Sequence, residues 1–274
     1  MFGENTTYIF EGWHRAYYMT DWKSTLITAG CDENWSENLS NSLAEKDWSP
    51  SLLPIVSKLS LGERLSIDDG HVLYSHPNLN EIGQLANLVK LARYDTKVFF
   101  NSNVHINQTN ICVLACKFCA FRRSKRQSDA YELSLDNYLL EMDKYANLVD
   151  EIHSVGGLHP DWRIEHYEQL ITAAKDRYPN IAIKALTAVE IKHLSKQSDI
   201  SYNQTLRRLK AAGLDCLPGG GAEILNDDVR AVICYGKESS DEYLEIHHQA
   251  HSIGIPSNCT MLFGTIETIH DRLI

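Results

Sequence analysis

Three cysteines in one short segment, Cys112, Cys116 and Cys119, are the residues best suited to chemistry in this sequence. Three residues separate the first two and two separate the last two, so three thiolates can bind one iron–sulfur cluster. A cluster that only carries electrons usually has four cysteine ligands. An iron without a protein ligand can instead bind a small molecule, as the open position of a catalytic zinc does. The spacing predicts a reactive 4Fe-4S cluster, with a zinc site as the competing interpretation.

The segments around these cysteines predict the elements that position them. Beyond residue 100, short apolar segments alternate with helical patterns, which is typical of βα units around a parallel sheet. Predicted strands lie near residues 104–107, 151–155, 181–185, 214–217 and 257–262. Predicted helices lie near residues 79–94, 135–149, 165–177, 188–196, 202–212 and 241–252, with capping boxes that begin at Ser201 and Ser239. The cysteine segment follows the first strand, and the loops after the strands form the active sites of βα barrels.

The predicted fold is α/β, a partial (β/α) TIM-type barrel preceded by N-terminal helices. Five strands cannot close such a barrel, so we expect the barrel to be truncated at its C-terminal end. The sequence divides into residues 1–49, an N-terminal extension of unknown role, residues 50–100, a helical N-terminal segment, and residues 101–274, the incomplete barrel domain. The extension stands apart because it holds four of the five tryptophans.

Composition restricts the partners of the chain. A net charge of -10 and a sequence pI near 5.6 argue against binding to nucleic acid or to an anionic membrane, because both need a basic surface. No apolar run approaches the roughly 20 residues of a membrane span. Seven cysteines, three of them close together, do not suit a disulfide framework. We expect a cytoplasmic protein that binds small molecules.

At the cysteine segment the chain resembles the radical S-adenosylmethionine enzymes, which share this spacing and an aromatic residue before the last cysteine, here Phe118. The resemblance implies that S-adenosylmethionine binds the open iron and is cleaved by one electron to a 5′-deoxyadenosyl radical. It further implies that Phe118 packs near the adenine and that Gly156 and Gly157 lie against the methionine amino group. Glu223, after a glycine triplet, would accept hydrogen bonds from the ribose.

Longer motifs resemble the aminofutalosine synthase family of the futalosine route to menaquinone. These are residues 105–112, 154–160, 183–191, 218–223 and 254–261. The resemblance implies that the radical adds to the enol ether of 3-[(1-carboxyvinyl)oxy]benzoate, an aromatic di-acid, and gives 6-amino-6-deoxyfutalosine with loss of carbon dioxide. An electron donor such as flavodoxin or ferredoxin would reduce the cluster. Candidate substrate-binding residues are Arg122, His159, Lys184, Thr187, Glu190 and Asn258.

Two other functions remain open. Dehypoxanthine futalosine cyclases and deazaflavin synthases resemble the chain around the cluster but use the radical to abstract hydrogen. A non-catalytic protein that binds a cluster or zinc, and cannot enclose a substrate, belongs to a different class. The motifs at residues 154–160 and 218–223 favour the synthase.

Overall fold

The computed structural model describes residues 31–98 and 100–274. Within them the chain forms two compact units, a helical unit of residues 31–98 and 267–274 and a βα unit of residues 100–266. In the part of the chain that the structure describes, no helix is both long and apolar enough to cross a membrane.

The helical unit contains five described helices, and residues of the first four form its own apolar core. They are α1 (Trp35–Ala44), α2 (Leu53–Ser60), α3 (Ile67–Ser75), α4 (Leu79–Tyr94) and α11 (Ile269–Leu273). The core joins Leu39 and Leu43 of α1 to Ile55 of α2 and Leu85 of α4. The Arg93 guanidinium lies over the Trp35 ring, 4.8 Å from its centroid.

Helix caps set the ends of these elements. The Ser66 side chain accepts from the Asp69 N–H, and the Asp69 carboxylate accepts from the Ser66 N–H, so a capping box starts α3. The Asn78 side chain accepts from the Glu81 N–H and caps α4 without a reciprocal bond. Both starts were predictable because the capping residues precede apolar periodic segments, and the bounds predicted for α4 are confirmed.

The predicted domain boundary at residue 49 falls inside the helical unit. Trp35, Leu39 and Leu43, which lie before this boundary, share one core with Leu52 and Leu85, which lie after it. Residues 31–49 therefore pack with the helices that follow them. Two tryptophans of the predicted extension, Trp13 and Trp22, lie outside the described residues, and the role of the extension stays a prediction.

The βα unit contains a parallel sheet with helices packed on one face. Its elements are β1 (Asn103–His105), α5 (Leu135–Asp143), β2 (Glu151–Ser154), α6 (Ile164–Arg177), β3 (Ala182–Ala185), α7 (Ala188–Ser198), α8 (Tyr202–Ala212), α9 (Asp227–Ile233) and α10 (Ser240–Ser252). The strand order is β1-β2-β3. Ile152, Ile183 and Ala185 face the helices and form the core with residues of α5 to α8 and α10. The partial (β/α) barrel predicted from the sequence is confirmed.

The predicted fourth and fifth strands are wrong as complete strands. Among the described residues, the sheet continues as two isolated parallel bridges, from Lys184 to Cys216 and from Leu217 to Ser257. Pro218 directly follows the first segment and Pro256 directly precedes the second, and proline has no N–H to donate to a longer ladder. The chain nevertheless follows the predicted path, because the Leu217 N–H donates to the Pro256 carbonyl (3.0 Å).

Candidate active site

The cysteine loop, residues 106–123, directly follows β1 and is held by backbone hydrogen bonds from outside. The N–H of Val113 donates to the Leu158 carbonyl in the loop after β2 (3.0 Å). The N–H of Lys117 donates to the Ile233 carbonyl at the end of α9 (2.9 Å). The position of the thiols is therefore set by the loop after β2 and by α9 as well as by β1.

Cys112, Cys116 and Cys119 are free thiols, each partly buried. Cys116 packs against the small apolar cluster that contains the buried Cys234. Burial raises the pKa of Cys116 to about 11, and the nearby Lys237 ammonium acts in the opposite direction. The loop thus presents three thiols, with a cation beside the middle one.

The donor set of this loop fits an iron–sulfur cluster. Iron–sulfur clusters are held by cysteine thiolates, and all three thiols lie within one eight-residue segment that three other parts of the fold hold in place. Among the described residues, no three Cys, His, Asp or Glu side chains are close enough together to bind a single metal ion. Three cysteines of a 4Fe-4S cluster bind three different irons, so their sulfurs lie further apart than the ligands of one ion.

The glycine pair after β2 lies directly against the cysteine loop. A Cβ atom on Gly157 would lie 2.2 Å from the Ile111 carbonyl oxygen and 2.9 Å from the Cys112 Cβ. A Cβ on Gly156 would lie 2.6 Å from the Gln108 Nε2. The two glycines therefore allow the backbones of the first and second loops to touch where the first cysteine begins. Contact of this pair with a methionine amino group stays a prediction.

We expect Gly157→Ala to displace the start of the cysteine loop. The new methyl group meets backbone atoms of Ile111, which cannot rotate away, so the loop must shift. Overpacking of this kind costs about 1–3 kcal/mol, and we expect a comparable loss in the free energy of unfolding together with a lower iron content after anaerobic reconstitution. Urea unfolding and iron analysis measure the two effects.

Gly83→Ala is the matched control for this substitution. Gly83 lies inside α4, and a Cβ there would have no atom within 4 Å. Alanine is favoured over glycine in a helix by roughly 0.5–1 kcal/mol, so this variant should be slightly more stable and bind iron as the parent does. Equal iron contents in the Gly157 variant and the parent would contradict the tight fit of the two loops.

The carboxylate of Glu190 connects three of the loops that follow the strands. Its Oε1 accepts from the Gly156 N–H (2.9 Å), and its Oε2 accepts from the N–H and hydroxyl of Thr187 (both 2.7 Å). Gln108 Nε2 lies 3.5 Å from Oε1. Burial raises the pKa of Glu190 to about 7 despite these hydrogen bonds. Glu190 and Thr187, both predicted as substrate contacts, are thus buried and hold the glycine pair.

The raised pKa predicts a pH dependence of stability that Glu190→Gln should remove. A carboxyl with a higher pKa in the folded chain binds more protons there, so its contribution to stability falls as pH rises from about 4.5 to about 7. We expect the stability advantage of the parent over the variant to shrink by about 1–3 kcal/mol across this range. Urea unfolding at several pH values measures it, with the exposed Glu141→Gln as control. A constant difference would contradict the prediction.

Glu223 lies in a left-handed backbone conformation (φ 49°) at the end of the glycine triplet. Its Oε1 accepts from the Lys237 Nζ (2.6 Å), and this pair is mostly buried. The same Nζ lies 5.5 Å from the centroid of the Phe118 ring, which is partly exposed. The structure therefore brings together two predicted cofactor-binding residues, Phe118 and Glu223, through a lysine next to Cys116.

A buried arginine fixes the loop that carries Glu223. Arg230 of α9 is 4% exposed, and its Nη1 donates to the carbonyls of Gly221, Ala222 and Ile224. Its Nε and Nη2 donate to the Glu238 carbonyl, and Nη2 also donates to the Glu238 carboxylate (3.2 Å). Residues on both sides of Glu223 are thus bound to one guanidinium.

The remaining predicted residues have different environments. His159 is buried, and its Nε2 is hydrogen-bonded to the Glu132 carboxylate, which accepts (2.8 Å). Arg122 is partly buried, and its Nε has no hydrogen-bond partner among the described residues. Lys184 lies on the sheet face opposite the core. Asn258 is exposed, and its backbone N–H donates to the Leu217 carbonyl (3.2 Å).

Sequence reasoning missed Lys237, Cys234 and Arg230. All three follow the glycine triplet within seventeen residues, and none belongs to a periodic or motif pattern. The available signal was local: a charged residue within the apolar segment 229–233 indicates a buried charge, which needs a partner. The partner itself becomes visible only once the loops are folded together.

The fold and the three-cysteine loop define the class of this protein, and comparison with known families agrees. The family model "Radical SAM superfamily" matches residues 106–273, which begins at the cysteine loop and covers more than half of the chain. This chain belongs to the radical SAM superfamily. Members of it bind a 4Fe-4S cluster and S-adenosylmethionine, and the donor set described above fits that cluster.

The chain is similar to curated enzymes of several kinds and to solved structures. It is 42% identical over 225 residues to the aminodeoxyfutalosine synthase of Thermus thermophilus, covering 82% of this chain and 60% of that protein. It is 36% identical over 227 residues to the cyclic dehypoxanthine futalosine synthase of Streptomyces coelicolor, covering 81% and 57%. The hydrogenase maturase HydG has the same fold, with a TM-score of 0.63, 18% identity, and coverage of 88% and 52%. The chain thus spans about 60% of the length of its curated relatives.

Proposed function

We propose that this chain is an aminofutalosine synthase. It would join the 5′-deoxyadenosyl group of S-adenosylmethionine to 3-[(1-carboxyvinyl)oxy]benzoate, with loss of carbon dioxide, to give 6-amino-6-deoxyfutalosine. The observation that carries this proposal is the 42% identity to an aminodeoxyfutalosine synthase over 82% of the chain. The proposed setting is the cytoplasm, with a flavodoxin or ferredoxin as the electron donor.

The residues of the cysteine loop would hold the cofactors. Cys112, Cys116 and Cys119 would bind three irons of the cluster, which, with bound S-adenosylmethionine, supplies the adenosyl radical. Lys237 would place a positive charge beside the anionic cluster, since its Nζ is held near Cys116 and Phe118. A nearby cation favours the more negative form of a buried redox group.

The loops after β2 and the glycine triplet would form the walls around the nucleoside. Gly157 allows the second loop to approach the first cysteine within backbone contact. The second carboxylate oxygen of Glu223 stays available to hydroxyl donors, because Lys237 bonds only the first. Glu190 fixes the position of the Gly156 N–H from behind. These residues orient a ligand and exclude water from it, which protects a reactive intermediate.

The second candidate is the cyclase, which the 36% identity over 227 residues supports. It would use the same loop and the same cofactors, and it would abstract hydrogen from a nucleoside rather than add the adenosyl group to an enol ether. The two functions differ in the fate of the adenosyl group, which either enters the product or leaves as free 5′-deoxyadenosine.

One pair of assays separates the two candidates. The reconstituted chain is incubated anaerobically with S-adenosylmethionine, reductant and either the enol ether or dehypoxanthine futalosine, and the products are analysed by mass spectrometry. From the enol ether alone, we expect an adduct that contains adenosine and has the mass of 6-amino-6-deoxyfutalosine. Free 5′-deoxyadenosine with turnover of the nucleoside would favour the cyclase. Cluster or zinc binding without either reaction would favour the non-catalytic alternative.

A further inference from the structure

A row of side chains that can carry a positive charge crosses the face of the sheet opposite the core. The parallel register places His105 of β1 beside His153 of β2, and His153 beside Lys184 of β3. The two imidazole rings lie 4.2 Å apart, centroid to centroid. Residues on the other face of the same strands pack against the helices, so this row, defined as His105, His153 and Lys184, lies on the inner face of the partial barrel.

The polar groups of this row have little to bind within the described residues. The Nε2 atom of His153 is buried and has no hydrogen-bond partner there. The nearest carboxylate to the Lys184 Nζ belongs to Glu151 and lies 4.0 Å away, beyond hydrogen-bonding distance, although the lysine side chain is only 17% exposed. Partly buried donors without acceptors are costly, and a bound anion would satisfy them.

Burial and the neighbouring side chains both disfavour the charged form of His153. Burial, His105 and Lys184 together lower the pKa of His153 to about 4. Glu151 lies two residues earlier on the same face of β2. An anion between the three side chains would reverse this effect by favouring their charged forms.

The row lies at the base of the cysteine loop. His105 is the last residue of β1, and His153 is one residue before the end of β2. The row is therefore next to the loops where the chemistry of a βα barrel takes place. The three cysteines lie seven or more residues further along the chain than His105, which leaves the row for the part of the substrate that does not react.

We propose that His105, His153 and Lys184 bind the benzoate carboxylate of the substrate. This inference rests on the proposed function, since it takes the aromatic di-acid as the ligand. The vinyl carboxylate belongs to the reacting end and would lie at the loops. The benzoate carboxylate would extend into the barrel, accept hydrogen bonds from Lys184 Nζ and His153 Nε2, and have His105 at its accessible side.

The test measures binding of 3-hydroxybenzoate, a probe with the aryl carboxylate and no enol ether, to the 274-residue chain by calorimetry. We expect Lys184→Met to weaken binding roughly tenfold or more, because a charge-assisted hydrogen bond is lost, and His153→Gln to weaken it less. The exposed Lys144→Met, whose lysine pairs with Glu141 on the surface, removes the same charge and should bind as the parent does. The neutral 3-hydroxybenzyl alcohol should not discriminate among the variants.

The outcomes separate this inference from the proposed function. Absent binding of 3-hydroxybenzoate to the parent, or equal binding by the parent, Lys184→Met and His153→Gln, would overturn the carboxylate site whatever the reaction is. Because His153→Gln keeps the shape of the row, it tests the site even if Lys184→Met does not fold. If the probe binds through the row but the enol ether gives no adduct, the carboxylate site stands and the synthase assignment falls.

Discussion

Cys116→Ala will abolish assembly of the 4Fe-4S cluster. The variant retains only Cys112 and Cys119, and two thiolates cannot replace the three that the loop provides for three irons. Cys116 is also the thiol that packs against the buried side chains of Ile224, Val229, Ile233 and Cys234. The fold therefore holds its sulfur in place. We expect iron to fall from about four per chain to almost none after anaerobic reconstitution, with loss of the 4Fe-4S absorption.

Cys234→Ala is the matched control for this loss. Cys234 is a buried thiol in the same apolar cluster as Cys116, and it is the nearest alternative source of a third thiolate. Because the cysteine loop supplies three ligands without it, the control should keep the full iron content and spectrum. If the cluster survives in the Cys116 variant and is lost in the Cys234 variant, Cys234 is a ligand and the three-cysteine assignment is wrong.

Most helices of the βα unit were predictable from the sequence to within a few residues because their signals are local. The helix predicted at residues 135–149 is an exception, since it ends at Asp143. The α4 bounds match the predicted ones, and Ser201 and Ser239 start α8 and α10 with the predicted capping boxes. Caps and apolar periodicity act within one or two turns, so the residues that decide them are neighbours in the chain. The cysteine loop was predictable for the same reason, since all three ligands lie in one segment.

The last strands were harder because their pairing depends on distant residues. The segments near Cys216 and Ser257 are apolar and short, as strands are, yet only single bridges form. A longer ladder would have to extend past Pro218 or begin before Ser257 at Pro256, and proline has no N–H to donate. Local propensity predicted extended backbone correctly but could not determine how many ladder hydrogen bonds two separated segments would share.

The polar network of the site depends on tertiary contacts for the same reason. Glu190 looked like a substrate contact because it follows a strand end, and the fold instead surrounds it with the N–H groups of Gly156 and Thr187. The pair of Lys237 and Glu223 joins residues fourteen positions apart. No sequence periodicity encodes either contact. The sequence identifies the chemistry of the cysteine loop, and the fold identifies the residues that support it.

Arg230→Met should cause the largest loss of stability among the substitutions considered. The guanidinium is 4% exposed and donates to the carbonyls of Gly221, Ala222, Ile224 and Glu238 as well as to the Glu238 carboxylate. Methionine preserves much of the apolar volume but leaves that carboxylate buried without its cation. Removing one partner of a buried ion pair costs roughly 3–5 kcal/mol, and urea unfolding followed by circular dichroism should show a loss of this size.

Arg208→Met is the control, because it makes the same chemical change at a solvent-exposed ion pair. It shows whether the loss of stability in Arg230→Met comes from burial of the ion pair. Arg208 bonds the carboxylates of Glu165 and Glu168 on the surface of the βα unit, with 39% of its side chain exposed. Exposed ion pairs contribute about 0–1 kcal/mol, so this variant should unfold close to the parent. A second expected difference is local: the glycine-triplet loop, no longer tied to the guanidinium, should exchange its amide hydrogens faster in Arg230→Met alone. Equal unfolding free energies for the two variants would mean that Arg230 does not fix the loop of Glu223.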